Sequence, residues 1–255
     1  MTALTDLGTP AITITGVSKE FGAGAQHSVA LRDVTLEVYR GEFLCLVGAS
    51  GCGKSTLLNL VAGLDRPSSG TVDRLDNRVA FMFQDSTLFP WLTLWQNVEL
   101  ALKLSDYPKD HRKARVEELL DLVHLGGRGK RRPHELSGGM RQRGALARVL
   151  AQEADIVLMD EPFAALDAMT RDSMHDELEK IWQRLRLTVV FVTHNVREAV
   201  RLSDRTILME SGPGRVKSEW RVDLPRPRHL DDAKVAEMSG RLTDELKAEV
   251  ARHVR

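Results

Sequence analysis

The feature that most constrains the fold is a glycine-rich loop placed between an apolar strand and a helix. Residues 43–47 read Phe-Leu-Cys-Leu-Val, an uninterrupted apolar run that is typical of a strand covered on both faces. Residues 48–55 then match the pattern G-x-x-x-x-G-K-S, and residues 55–64 have a helical pattern. Strand, loop and helix in this order are the context that confirms a phosphate-binding loop. The chain is therefore expected to have an α/β core with a nucleoside triphosphate site.

The residue types in this loop suit a triphosphate. Glycines allow backbone N–H groups to crowd around phosphate oxygens, and Lys54 reaches the β and γ phosphates. The Ser55 hydroxyl is a ligand that Mg²⁺ accepts, and Thr56 can hydrogen-bond the inner phosphates. The nucleotide-binding residues predicted in this loop are Gly48, Ser50, Gly51, Gly53, Lys54, Ser55 and Thr56.

Two acidic residues end an apolar strand further along the chain. Residues 155–161 read Asp-Ile-Val-Leu-Met-Asp-Glu, and the carboxyl ends of parallel strands gather where ligands bind. Asp160 is therefore predicted to lie beside the Mg²⁺ held by Ser55. Glu161 is predicted to polarise the water that attacks the γ-phosphate. The alternative is a strand end that carries solvated acids and no chemistry.

A second glycine-rich stretch predicts that two copies of the chain share each nucleotide. Residues 136–143 read Leu-Ser-Gly-Gly-Met-Arg-Gln-Arg, with a serine and two glycines at the start of a helical run. The Ser137 hydroxyl and the N–H groups of Gly138 and Gly139 can donate to a phosphate, and the helix dipole adds its positive end. Because one chain has one nucleotide pocket, this second loop is predicted to serve the pocket of another copy.

The order of strand and helix patterns indicates an α/β fold interrupted by a helical segment. Alternating apolar and polar residues predict half-buried strands at 11–15 and 29–39. Between 88 and 153 helical periodicity dominates, and residues 230–255 form a charged amphipathic pattern that by default indicates a solvated helix. Repeated βα units imply a mainly parallel sheet with helices on its faces. Further strands are predicted at 78–83, 156–159, 189–192 and 206–209, and further helices at 171–186 and 195–202.

Composition excludes several classes of protein. The chain has 36 basic and 36 acidic residues, so no basic field favours nucleic acid as a partner. No apolar run approaches the roughly 18–20 residues that span a bilayer, and residues 1–10 lack a signal-peptide pattern. Cys45 and Cys52 are too few for a disulfide framework or a zinc cluster, so a cytosolic protein is expected. Cys52 is either a thiol activated by the nearby Lys54 or an incidental small side chain.

These motifs, in their order along the chain, resemble those of the ATPase subunits of ABC transporters up to about Leu224. The resemblance implies a RecA-like P-loop NTPase core over residues 11–228, with an N-terminal antiparallel β subdomain, an inserted α-helical subdomain at about 88–153, and a separate tail at 229–255. The matching segments are Gly48–Thr56 as Walker A, Phe81–Gln84 as Q-loop, Leu136–Met140 as signature, Ile156–Asp160 as Walker B, Ala164–Asp167 as D-loop and Val192–His194 as switch.

The resemblance also implies roles for residues that the loops alone do not identify. Gln84 would contact Mg²⁺ and the attacking water, and His194 would bond the γ-phosphate and position the water of Glu161. Asp167 would touch the Walker A region of the partner copy. Phe21 lies where the family often stacks an aromatic ring on adenine; the alternative is a core phenylalanine. The predicted catalytic set is thus Gln84, Glu161 and His194, and the predicted metal set is Ser55, Gln84 and Asp160.

Three positions depart from the common family pattern without removing a catalytic group: Met140, Ala164 and Asn195. A narrower resemblance, to importers of nitrate, sulfonate and taurine, rests on residues 83–93, on Asn97-Val98 and on the Pro-Arg-rich stretch 224–228. In that group the cleft near Phe89 and Trp91 receives a cytoplasmic helix of the membrane subunit. The alternative is that Trp91 packs the core of the inserted helices.

The predicted function is ATP hydrolysis that energises uptake of a small anionic solute. The partners expected from the resemblance are a second copy of this chain, a transmembrane permease and, indirectly, a solute-binding protein, with ATP and Mg²⁺ as cofactors and no nucleic acid. The expected location is the cytoplasmic face of the inner membrane, as a peripheral subunit. The alternatives are a soluble ABC ATPase that acts on nucleic acid or the ribosome, and an ABC ATPase for export or lipid movement.

Overall fold

The computed structural model describes residues 8–22 and 27–253, so most of the signal-peptide prediction at 1–10 and the last two residues of the tail lie outside the described residues. The chain forms two compact units. The first contains the described residues up to Asn77 together with those from Leu187 onward, and the second contains Arg78–Arg186.

The first unit holds most of the strands. Its strands are β1 (Pro10–Phe21), β2 (Ser28–Tyr39), β3 (Phe43–Gly48), β4 (Ser69–Asp73), β7 (Thr188–Val192), β8 (Arg205–Glu210) and β9 (Arg215–Arg221). Its helices are α1 (Lys54–Ala62), α6 (Val196–Leu202) and α7 (Ala233–His253).

The second unit has a short strand pair and four helices. Its strands are β5 (Val79–Met82) and β6 (Ile156–Asp160), and its helices are α2 (Leu94–Leu104), α3 (Lys109–Leu122), α4 (Gly138–Leu150) and α5 (Ala168–Leu185). A 3₁₀ turn at Pro133–Glu135 precedes α4. All of residues 88–153 are described, and they contain helices and no strand. That these residues form an inserted subdomain stays a prediction.

The first unit combines an antiparallel sheet with a largely parallel one. The antiparallel sheet has the order β2-β1-β4. In the other sheet β3 lies between β7 and β8 and is parallel to both, while β9 runs antiparallel to β8 at the edge. Every residue of β3 is buried, as the uninterrupted apolar run predicts. The predicted fold class, an α/β P-loop core with an antiparallel β part, is confirmed by this arrangement.

The helices of the second unit pack on one another through apolar faces. Helix α2 contacts α3 and α4, and α4 contacts α3 and α5. Thr93 caps α2 by accepting a hydrogen bond from the Gln96 N–H at 3.2 Å, and the Gln96 side chain bonds back to the Thr93 N–H at 2.9 Å. The shared core consists of fully or nearly fully buried side chains: Leu94, Val98, Leu102, Val116, Leu119, Leu120 and Leu146.

The tail helix α7 is not simply a solvated helix. Val235 and Leu242 on this helix are buried, and α7 packs against α6. Trp220 of β9 donates its indole N–H to Glu245 at 2.9 Å, and the Lys217 ammonium pairs with Glu249. The default interpretation of a solvated helix is therefore wrong, because one face of the amphipathic pattern packs against α6 and β9.

Candidate functional site

The phosphate-binding loop connects β3 to α1 in the first unit. Gly53 caps the helix with φ at 91°, a left-handed conformation that glycine adopts without steric cost. Lys54, the first helical residue, is 6% exposed, and its Nζ donates to the carbonyls of Gly48 and Ala49, each at 2.9 Å. The ammonium group is thus held over the loop, at the N-terminus of α1, where an anion is favoured.

The polar side chains at the start of α1 are open to solvent in the way that the prediction requires. Ser55 is exposed and Thr56 is half-buried, whereas Cys52 is completely buried and lies 3.5 Å from Lys54 Nζ. A thiol reagent therefore reaches Cys52 only when the loop opens. The reactivity of this thiol stays a hypothesis.

The switch segment lies at the same edge of the sheet as the phosphate loop. Strands β3 and β7 are parallel neighbours, with Leu46 opposite Val192, and His194 follows the end of β7 as an exposed side chain. Asn195 caps α6 by accepting a hydrogen bond from the Arg197 N–H at 3.0 Å. Asparagine and aspartate are comparable N-caps, so this departure from the family pattern keeps the cap.

Phe21, the predicted adenine platform, lies at the end of β1. The residue is 43% exposed, and the Lys19 ammonium lies 4.8 Å from the ring centroid. The alternative of a core phenylalanine is wrong, since the residue is exposed to solvent.

In the second unit the acidic residues and the Q-loop lie at the carboxyl ends of two neighbouring strands. Strands β5 and β6 are parallel, with Met82 opposite Met159, so Asp160, the last residue of β6, and Gln84, which follows β5, lie at the same end of neighbouring strands. Asp160 and Glu161 are half-buried. Glu161 has φ at 44°, uncommon for a residue other than glycine, and backbone strain of this kind clusters at functional sites.

Gln142 is a residue of this site that sequence reasoning missed. Its side-chain Nε2 donates to the Gln84 carbonyl at 3.0 Å and also to the Pro162 carbonyl. Gln142 is 5% exposed, so both bonds are shielded from water. The side chain ties the Q-loop backbone to the segment that follows Glu161. Its place inside the signature octet was visible, but its long-range partners were not.

The signature segment begins helix α4. Ser137 caps the helix, with its Oγ accepting a hydrogen bond from the Met140 N–H at 3.3 Å. Ser137 and Gly138 are exposed and Gly139 is half-buried. An exposed, serine-capped helix N-terminus suits the binding of an anion, and the contact of these residues with a phosphate stays a prediction.

The D-loop aspartate lies beside the signature segment. Asp167 caps α5 and accepts a hydrogen bond from the Thr170 N–H at 3.0 Å. Hydrogen bonding by Thr170, from its side chain and its backbone, lowers the pKa of Asp167, which therefore stays ionised near neutral pH. A Cβ added to Gly139 would lie 2.6 Å from Thr170 Cγ2, so the two helix starts are in close contact.

An ionic bond also fixes the signature helix α4 to α5. Arg143 donates to Glu177 Oε1 at 2.8 Å and to Ser173 Oγ at 3.1 Å. Burial raises the pKa of Glu177, and the Arg143 charge opposes that shift. The start of α4 is thereby held against a helix that begins at the D-loop.

The oxygen donors suit Mg²⁺, a hard cation. The predicted ligands are a hydroxyl, an amide and a carboxylate, on Ser55, Gln84 and Asp160. Within residues 8–22 and 27–253, no cluster of three or more His, Cys, Asp or Glu side chains is placed to bind a metal. A site built from one carboxylate, a hydroxyl and phosphate oxygens does not require such a cluster.

Comparison with known proteins places the chain in a family. Residues 31–164 match the model of the ABC transporter family. The nitrate import ATP-binding protein NrtD of Synechocystis is 44% identical over 221 residues, covering 84% of this chain and 83% of NrtD. The aliphatic sulfonates import ATP-binding protein SsuB of Bacillus licheniformis is 44% identical over 217 residues, covering 82% of this chain and 84% of SsuB. The chain belongs to the ABC transporter family of ATP-binding cassettes.

Solved structures agree with this assignment. The ATP-binding cassette MJ0796, in a dimeric post-hydrolysis state bound to ADP and Pi, superposes with a TM-score of 0.73 at 33% identity, covering 84% of this chain and all of MJ0796. Some relatives are longer: the chain spans 35% of the bicarbonate transport ATP-binding protein CmpC of Synechococcus elongatus, at 44% identity. Among the described residues, no helix is long and apolar enough to cross a membrane.

Proposed function

We propose that this chain is the ATP-hydrolysing subunit of an importer for small anions. The observation that carries the proposal is that two helices, α1 and α4, begin in glycine-rich motifs suited to phosphate, in a chain 44% identical to import ATPases for nitrate and sulfonates. The nitrate, sulfonate and bicarbonate in the names of the relatives share a negative charge, which supports an anionic solute.

In the proposed reaction the phosphate loop binds ATP. Lys54 turns from the carbonyls of Gly48 and Ala49 towards the β and γ phosphates, and the N–H groups of the loop and of α1 surround the phosphate oxygens. The loop residues Gly48, Ser50, Gly51, Gly53 and Thr56 complete the pocket, and Phe21 stacks on adenine. Ser55, Gln84 and Asp160 would hold Mg²⁺, which would supply positive charge next to the phosphate oxygens.

Hydrolysis is assigned to Glu161, Gln84 and His194. Glu161 accepts a proton from the attacking water, Gln84 orients that water, and His194 donates a hydrogen bond to the γ-phosphate. The half-buried position of Glu161 and its strained backbone support this role, because a base at this position is held by the turn that follows β6.

The glycine-rich segment at the start of α4 supports a homodimer. Ser137, Gly138 and Gly139 contact the γ-phosphate of ATP held by the other copy, and Asp167 contacts its Walker A region. The dimeric state of the MJ0796 cassette supports this assembly. The contact between Gly139 and Thr170 makes the two partner-facing segments a single surface.

A pair of exposed aromatic rings is the proposed contact with the permease. Trp91 is 67% exposed, so the alternative that it packs the core of the inserted helices is wrong. The rings of Phe89 and Trp91 lie 5.4 Å apart, and the Arg148 guanidinium lies 5.6 Å from the Phe89 ring centroid. Exposed aromatic side chains are common anchors of interfaces. The subunit then acts at the cytoplasmic face of the inner membrane, and a solute-binding protein delivers the anion to the permease; nucleic acid has no role.

Reconstitution tests this function. The chain is co-expressed with the permease and solute-binding protein of a nitrate or alkanesulfonate importer, and the complex is placed in liposomes that contain MgATP. We expect ATP-dependent uptake of labelled nitrate or an alkanesulfonate, which is lost with Glu161→Gln and retained with the exposed-site control Glu237→Gln. ATP hydrolysis without uptake of any anion would contradict the importer assignment.

A further inference from the structure

The turn between β8 and β9 is joined to the strand that lies beneath the phosphate loop. The Gly214 N–H donates to the Ala30 carbonyl at 3.0 Å, and the Arg32 N–H donates to the Gly214 carbonyl at 3.0 Å. These two bonds form a short parallel bridge between Leu31 and Gly214. The turn is thus fixed to β2 and is not a free hairpin end.

Gly214 also lies directly against the backbone of the phosphate loop. A Cβ added at this position would fall well inside van der Waals distance of the Cys52 carbonyl oxygen, 3.1 Å from the Cys52 carbonyl carbon and 3.0 Å from the Ala30 carbonyl oxygen. These neighbours are backbone atoms of buried or half-buried segments, so they cannot move aside as a flexible side chain can. Only a hydrogen fits between the turn and the loop.

The next loop residue is supported from the same strand. A Cβ added to Gly53 would lie 2.5 Å from Leu31 Cδ2 and 2.9 Å from the Ala30 carbonyl oxygen. Leu31 is completely buried. Residues 52 and 53, which immediately precede Lys54 in the sequence, therefore pack against Ala30 and Leu31 of β2 and against Gly214.

From these contacts we infer that Gly214 is a positioning residue for the phosphate loop. Because Gly214 has no side chain, the β8–β9 turn packs directly against the Cys52 carbonyl and fixes its position. The position of Cys52 in turn determines where the N–H groups of Gly53, Lys54 and Ser55 lie. Gly214 touches no phosphate itself. The inference rests on the proposed function, because it takes this loop to be the ATP site.

The test compares Gly214→Ala with Gly240→Ala. Gly240 lies in α7 of the same unit, and a Cβ there meets no atom within 4 Å. Weakening one hydrogen bond to a charged phosphate lowers affinity about tenfold or more, so we expect Gly214→Ala to raise KM and Kd for ATP at least roughly tenfold. Removal of binding that substrate and transition state share raises KM without lowering kcat, so we expect kcat at saturating ATP to fall by a smaller factor than KM rises. Gly240→Ala leaves all three values unchanged.

Separate measurements of KM and kcat distinguish a positioning role of Gly214 from a loss of folded protein. Fewer folded molecules would lower kcat and leave KM unchanged, and that result for Gly214→Ala overturns the inference, as does unchanged ATP affinity in a folded variant. Failure of the proposed function is a different result, in which wild-type protein neither binds nor hydrolyses ATP.

A measurement on the wild-type protein applies if Gly214→Ala does not fold. Amide hydrogen exchange is followed by NMR with and without a non-hydrolysable ATP analogue. We expect the N–H groups of Gly214 and Arg32 to exchange more slowly when the analogue is bound, together with those of the loop, whereas the Gly240 N–H is unaffected. Slower exchange in the loop with no change at Gly214 and Arg32 overturns the inference.

Discussion

Lys54 shows how one residue acquires its role from its surroundings. Its ammonium group is buried and donates to two loop carbonyls at the start of α1, and it is the cation next to the proposed phosphate site. The sequence pattern identified this lysine because the G-x-x-x-x-G-K-S spacing couples it to the strand before it and the helix after it.

Replacing Lys54 with alanine is expected to weaken ATP binding. Hydrogen bonds to charged groups contribute about 1.5–3 kcal/mol, which corresponds to a loss of affinity of about 10- to 150-fold. Titration with a fluorescent ATP analogue measures the change. Lys247→Ala, at an exposed lysine of α7, is the matched control and keeps wild-type affinity. Equal affinities for the two variants would contradict the role of Lys54.

Glu161→Gln is expected to separate hydrolysis from binding. The amide keeps the size of the side chain but cannot accept the proton of the attacking water, and loss of a general base lowers a rate by about 10² to 10⁴. ATP affinity stays at the wild-type level, because the contacts of the phosphate loop are intact. Phosphate release measures the hydrolysis rate and ATP titration measures the affinity, with Glu237→Gln, at an exposed position, as the control. A variant that hydrolyses ATP at the wild-type rate excludes Glu161 as the base.

At the scale of elements, α7 gains its stability from one packed face. Leu242 is completely buried, and truncation of a buried leucine to alanine costs about 2–5 kcal/mol of the free energy of unfolding. Val250 on the same helix is 40% exposed, and its truncation is expected to cost less than about 0.5 kcal/mol. Urea denaturation followed by circular dichroism compares the two variants. Equal losses would show that α7 does not pack as described.

Elements with strong apolar patterns were predictable from the sequence. Strands that form only because they pair with a neighbouring strand were not. The apolar runs predicted β3, β6, β7 and β8 closely, because a strand covered on both faces must be apolar. Strand β4 reads Ser-Gly-Thr-Val-Asp, with a single large apolar residue, and it exists because it pairs with β1. Strand β9 carries charged residues at a sheet edge, so its pairing with β8 left no apolar signal.

The residues of the candidate site also fall into a predictable group and a group that was not predictable. Motif spacing predicted the phosphate loop, the two acids at the end of an apolar strand and the serine at the start of a helix, since each pattern depends on neighbours in sequence. Gln142 and Gly214 act through backbone groups that are distant in sequence, such as the Gln84 and Cys52 carbonyls. Such contacts become visible only when the fold brings the segments together.

For the whole molecule, we propose that two copies of this chain build each ATP site. One copy would supply Lys54 and the phosphate loop, and the other would supply Ser137 at the start of α4. A symmetric pair of such contacts closes a dimer with two equivalent sites, which is the commonest form of soluble oligomer.

Mixing two inactive variants tests this claim most directly. Lys54→Ala lacks a working phosphate loop, and Ser137→Arg blocks the signature segment, so neither variant alone is expected to hydrolyse ATP. A mixed dimer contains one site with an intact Lys54 from one chain and an intact Ser137 from the other. We predict that mixing restores ATP hydrolysis, in the fraction that elutes as a dimer on size-exclusion chromatography. A mixture that forms dimers and remains as inactive as its components, or hydrolysis by wild-type chains that are monomeric, would contradict the claim.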